Sequence, residues 1–175
     1  MYVRRSNLKT LLLVVCLTLV VGCGASREVR DYLEKLGPPK NHLAEVEKLR
    51  QPIFQRTMQA LKQRRTGDPF AELAGLRAQM EAARTESAAQ RQYLTGHPCP
   101  PDCRGFYIAY YKFLQAEDSY FKGNDVIFAA LDGIPRGGAA PNLRELEFDD
   151  QVFSKMATSA AEDFKAIQAT YERTR

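Results

Sequence analysis

At 175 residues and a formal charge of +4, the chain is long enough for one domain with a hydrophobic core and carries no dominant block of one sign. Ala, Glu, Gln, Arg and Leu dominate, tryptophan is absent, and no long stretch alternates β-branched with polar residues, so the composition points to helices and away from sheets. Charges of both signs are interleaved, as on solvated helix faces. This excludes the strong field that would draw nucleic acid or an acidic polymer.

The chain opens with Arg4, Arg5 and Lys9, and no acidic residue precedes Glu28. Residues 11–21 are apolar apart from Thr18. As a helix this run would be roughly 17 Å long against about 30 Å of hydrocarbon, too short to span a bilayer comfortably. A basic start, a short apolar core and a small residue at Gly22 form the layout of a cleaved export signal. Leu19-Val20-Val21-Gly22-Cys23 resembles the lipobox of bacterial lipoproteins, in which a small residue precedes the cysteine that is lipidated and becomes the mature N-terminus. The resemblance covers only the first two dozen residues. It implies that residues 1–22 are removed as a signal peptide. It also implies that Cys23 carries a diacylglycerol, usually with a further acyl chain such as palmitate on its amine. Two or more chains hold a protein stably on a membrane, where one does so only marginally. Gly24 stands where an aspartate commonly retains enteric-type lipoproteins in the inner membrane, so the resemblance points to the outer membrane and a periplasm-facing domain. Arg4-Arg5-Ser6-Asn7-Leu8-Lys9 partly resembles a twin-arginine export motif, but Asn7 replaces the usual aromatic and the general export route is favoured. Without the signal, 22 basic residues face 21 acidic ones.

Residues 23–40 are expected to form a short tether and helix. Val29, Leu33 and Leu36 share one side of residues 26–36, and Gly37-Pro38-Pro39 stops them. So short a tether would hold the domain near the bilayer, with Arg27 and Arg30 toward the headgroups. The helical domain proper is residues 41–175. Its first long helix, 41–65, carries Leu43, Val46, Leu49, Ile53, Thr57 and Leu61 on one stripe, with Pro52 as a kink. Gly67 breaks the chain, and Asp68 and Pro69 begin a second helix. Its stripe is Leu73, Leu76, Met80, Ala83, Ser87 and Leu94, and Gly96 stops it. After the turn from His97 to Cys103, with Asp102 as the expected cap, comes an aromatic helix. Phe106, Tyr107, Tyr110, Tyr111, Phe113, Tyr120 and Phe121 crowd its first part, and a bend is expected at Gly123-Asn124 before it continues to Leu131. Residues 132–141 are a Gly-, Pro- and Ala-rich loop. Asn142 and Glu145 form a capping-box pattern ahead of a last helix with Val152, Phe153, Met156, Ala160, Phe164, Ile167 and Tyr171 on its stripe. The expected fold is all-α: an antiparallel four-helix up-down bundle preceded by a short helix.

Cys16 leaves with the signal and Cys23 takes the lipid, so Cys99 and Cys103 form an even pair in an oxidising compartment and are expected to be a disulfide. Closing so small a loop would stabilise by about 2 kcal/mol and pin the turn. With His97 they are the one cluster of metal-ligand chemistry, but a closed site needs more ligands than one short loop supplies, and nothing places His42 nearby. A di-iron site would need Glu-x-x-His on two helices, and neither histidine has a glutamate three residues before it. No zinc-protease, phosphate-loop or nucleophile-elbow motif occurs. No cofactor, metal or catalytic residue is expected.

Glu145, Glu147, Asp149 and Asp150 could attract a cation or a basic partner, but they also suit a helix start. Glu117 falls in the middle of the stripe Phe106, Tyr110, Phe113, Glu117, Phe121. A buried carboxylate needs a partner. Counting along a helical hairpin brings Arg84 opposite Glu117, so an ion pair is expected, with a tyrosine hydroxyl such as that of Tyr110 able to join it. Alternatively, Glu117 faces a tyrosine-lined ligand pocket. These features point to a lipid-anchored scaffold or interaction protein that binds another envelope component. The alternatives are a carrier of a small apolar ligand or lipid between helices, and a redox or metal protein using the cysteine turn.

Overall fold

Among the residues the structure describes, apolar residues spaced three and four apart, bounded by local stop signals, produce five α-helices: α1 (Arg27–Leu36), α2 (His42–Lys62), α3 (Asp68–Gly96), α4 (Arg104–Asp132) and α5 (Leu143–Thr174). The computed structural model describes residues 25–64, 68–132, 134 and 141–174, with only the backbone of Asp68 and Pro69. The lipobox-like stretch with Cys23, the Gly67 break, the capping side chains of Asp68 and Pro69, most of the 132–141 loop and Arg175 lie outside the described residues. Among those described all regular secondary structure is helical, without a strand.

The short-range signals explain the helix ends. Ser26 Oγ accepts from the Val29 N–H at 3.4 Å to start α1. Gly37 ends it at a φ of +76°, a conformation that costs glycine little, with its N–H on the Leu33 carbonyl at 3.0 Å. Asn41 Oδ1 caps α2 through the Ala44 N–H at 2.9 Å, and Asn142 Oδ1 caps α5 through the Arg144 N–H at 3.2 Å. Asp102 does not cap α4. It lies exposed within a 3-10 turn (Pro101–Cys103) that leads into the helix.

α2 packs against α3, α3 against α4, α4 against α5, and α5 back against α2, while α1 lies on α3 and α5. The stripes on α1, α3 and α4 enter the core as expected, with Ala83 half-buried. Two expectations fail. α2 is rotated: Leu49 is 44% exposed, and Arg50, Phe54 and Met58 are buried instead. On α5, Val152 is 37% exposed. α4 continues as one helix through Gly123, whose place is explained by packing. The Phe153 ring of α5 occupies the space that a β-carbon would need there.

Candidate functional site

Among the described residues, most buried polar groups gather in two clusters, with Thr57 and Asn124 instead bonded to carbonyls of their own helices. The first surrounds Glu117, which is fully buried. Its Oε1 accepts the Leu43 N–H at 3.0 Å, and Leu43 is the second residue of α2. The first N–H groups of a helix have no internal partner, and the helix dipole makes that end positive. Glu117 on α4 therefore caps α2 across the core. Oε2 has no partner of hydrogen-bonding geometry. Burial pushes the carboxyl up to about 7, against the opposing pull of the Ser87 hydroxyl and the Leu43 and His42 N–H groups. Two turns earlier on α4, the buried Tyr110 hydroxyl accepts the Lys40 N–H at 3.3 Å and donates to Gln90 on α3. Tyr110 and Glu117 thus hold both ends of the segment that enters α2. Lys40 Nζ lies 2.7 Å from Glu86, and the same carboxylate is 3.8 Å from Nε2 of the buried His42. Burial lowers the His42 pKa, and Glu45 and Glu86 only partly oppose this.

Arg84 is not the partner of Glu117. It reaches Asp125 at 3.1 Å and Glu81 at 3.9 Å. The reason is register. Arg77 meets Asp132 at 2.6 Å, Arg84 meets Asp125 at 3.1 Å, and Arg91 meets Asp118 at 3.3 Å, a three-rung ladder on the α3–α4 seam with arginines and aspartates seven residues apart. The Asp125 and Glu81 carboxylates thus hold Arg84 on the seam, while the Ser87 hydroxyl bears on Glu117 and the α2 N-terminus supplies the donors that a cation would otherwise provide. The heptad spacing of Arg77, Arg84 and Arg91 against Asp118, Asp125 and Asp132 is the sequence signal that would have located the ladder.

The second cluster centres on Arg50, 1% exposed and missed by the stripe reading. Its Nε and Nη2 donate to Glu47 at 2.7 and 3.0 Å, and Nη1 lies 2.7 Å from Asp150 Oδ1. The Tyr120 hydroxyl donates to Glu47 Oε2 at 2.5 Å, and Ser154 donates to Oε1 at 2.8 Å. The same two hydroxyls accept from Arg50 at 3.1 and 3.2 Å. Burial by itself would raise the Glu47 pKa, but hydrogen bonds from Arg50, Tyr120 and Ser154 outweigh it and hold the carboxyl below its usual range. The network joins α2, α4 and α5. It also absorbs part of the acidic cluster: Asp150 serves Arg50, and Glu147 pairs with Lys62 at 2.5 Å.

Cys99 and Cys103 are free thiols, so the disulfide expected from the sequence is not formed. The 3-10 turn draws Cys103 into the core while Cys99 stays half-exposed. Burial pushes the Cys103 thiol up to about 11, with Cys99 adding to the effect. A thiol so protonated is a poor nucleophile and metal ligand. His97 turns away from metal chemistry: its ring stacks on Tyr93 at 4.1 Å, with Nδ1 2.9 Å from the Tyr93 carbonyl. Among the described residues no group of three or more His, Cys, Asp or Glu could hold a metal ion.

A groove of about 500 Å³ runs between α4 and α5, lined by Phe106, Ile108, Ala109, Lys112, Ala116 and Ala166 among others. Its size suits a small ligand or an inserted side chain. No tyrosine lines it. Tyr107 and Tyr111 stack on each other at 6.0 Å, and the Tyr110 and Tyr120 hydroxyls are engaged in the polar clusters. In comparison with known proteins, the chain matches no family model, no curated protein and no solved structure.

Proposed function

We propose that this chain is a lipid-anchored protein of the bacterial envelope, held by acyl chains on Cys23 and facing the periplasm, with the outer membrane as the favoured site. In this reading it acts by binding another envelope component, without catalysis, cofactor or nucleic acid. The observation that carries the reading is Leu19-Val20-Val21-Gly22-Cys23 after a short apolar run and a basic start. Ala25, two residues beyond Cys23, already packs against the hydrophobic core, which is consistent with a domain held close to its anchor. No helix of the described residues is long and apolar enough to cross a membrane. The engagement of the Glu47, Arg50, Tyr120 and Asp150 side chains with one another, and of Tyr110 with Lys40 and Gln90, supports a structural role for these groups. The four long helices are taken as an antiparallel up-down bundle with α1 across one end.

The test has two parts. Cys23→Ala should abolish acylation and release the protein from the membrane fraction. Unchanged retention and an unchanged mass of the processed form would defeat the anchor. Crosslinking in intact cells should then recover one envelope protein at about one copy per copy. Failure to recover any such protein would defeat the interaction role.

A further inference from the structure

Four of the five large hydrophobic side chains exposed among the described residues lie on α4 and α5: Ile108, Val126, Phe148 and Val152. Val126 and Phe148 are 66% and 65% exposed. Ile108 and Val126 are about five full turns apart, so they project along one line of α4, separated by about 27 Å. α4 and α5 run in opposite directions, because Phe106 meets Tyr171 at 5.9 Å and Phe113 meets Phe164 at 5.1 Å. Midway, Phe153 over Gly123 closes their seam. On either side the seam is hollow. The groove of about 500 Å³ lies at the Ile108 end, and a second hollow of about 250 Å³, lined by Ala130, Leu146 and Asp149, lies beside Val126.

Hollows at both ends, each beside exposed apolar side chains, suit a two-fold axis across the middle of the face. We propose that the α4–α5 face is the interface of a homodimer, in which Val126 and Phe148 of each copy enter the groove beside Ile108, Ala109 and Ala116 of the other. A two-fold interface must be self-complementary, residue by residue. The charges meet that condition. Lys112 and Asp163 line the groove, Asp149 and Glu145 line the other hollow, and Lys155 is exposed two turns from Phe148. None of these five has an ion-pair partner among the described residues. The two-fold axis brings Lys112 to the Asp149 end of the second copy and Asp163 to its Lys155. It passes near Ser119 and Ser159, both exposed and small enough for the helices to approach. The available area is also sufficient. Helices of 29 and 32 residues form a face roughly 45 Å by 20 Å. That is roughly 900 Å² per copy, where a stable interface needs about 800 Å². The proposal does not rest on the lipid anchor.

The experiment places the photocrosslinker p-benzoylphenylalanine at position 148 of the full chain and irradiates intact cells. The expected product is a homodimer, with the crosslinked peptide mapping to residues 105–116 of the second copy. In parallel, sedimentation of the purified full chain should show Phe148→Asp and Lys112→Glu weakening dimerisation by about thirtyfold or more, and Lys112→Glu with Asp149→Lys restoring it. Phe148 and Lys112 are exposed and Asp149 is half-buried at the helix surface, so circular dichroism should stay unchanged. Three results would overturn the proposal: no homodimer product, a dimer indifferent to the substitutions, or a monomer carrying bound lipid in native mass spectrometry.

Discussion

Replacing Glu117 with Gln should change how stability depends on pH. Glu117 ionises at about 7 in the folded chain against 4.5 when unperturbed, because burial penalises the charged form. Between these values the folded chain holds a proton that the unfolded chain has released. Stability therefore falls as pH rises from about 4.5 to about 7 and is flat in this respect outside that window. A shift of about 2.5 pH units at about 1.4 kcal/mol per unit makes the loss roughly 3–4 kcal/mol. Glutamine keeps an acceptor for the Leu43 N–H and cannot ionise. Near pH 4 the variant and parent should have similar stability, within about 1 kcal/mol. At pH 8 the variant should be more stable, by roughly 3–4 kcal/mol. The buried His42 has a lowered pKa and contributes a slope of opposite sign, but it is present in both chains and cancels in the difference. Urea unfolding followed by circular dichroism at unit pH steps from 4 to 8 makes the measurement. A difference that stays constant across that range would refute the reasoning, since it would mean that Glu117 titrates alike folded and unfolded.

Arg50→Met should destabilise by about 3–5 kcal/mol, because it leaves Glu47 and Asp150 facing each other's charge without a cation; a loss below about 1 kcal/mol in denaturant unfolding would contradict the network's role. Gly123→Ala should cost about 1–3 kcal/mol through the clash with Phe153, and Phe153→Leu in the same chain should recover part of it. Thermal unfolding of the two variants decides that, and an unchanged midpoint for Gly123→Ala would show that the ring moves aside freely. Cys99 should react with a soluble maleimide at least about tenfold faster than Cys103, whose thiol is buried and held protonated; equal rates, or no reaction at either, would go against the free-thiol geometry.

Much of the helical architecture is carried by short-range signals. Ser26, Gly37, Asn41 and Asn142 act within four residues of themselves, so their effect is legible before any fold is known. The stripes of α3 and α4 are likewise local, since the helical repeat alone decides which side chains share a face. The burial of Glu117 followed from its place among Phe106, Tyr110, Phe113 and Phe121. Its partner did not. A stripe tells which residues face inward, but the ligand of Glu117 is the backbone of a helix start, and no side-chain pattern marks that group.

The sequence by itself determined that the described chain is helical, where α1 begins and ends and where α2 begins, and which faces of α3 and α4 are apolar. Those properties depend on residues within one or two turns of each other. Tertiary structure alone decided the phase of α2 and the fate of its polar residues. Leu43, Val46, Ile53 and Thr57 allow Leu49 inward as readily as Arg50 by spacing. Arg50 wins because Glu47, Tyr120, Asp150 and Ser154 converge on it from three helices and meet its charge, so its burial is offset by contacts that reach as far as 104 residues along the chain. A desolvated charge is tolerable only where every such group arrives together, and that condition exists only after the helices have packed.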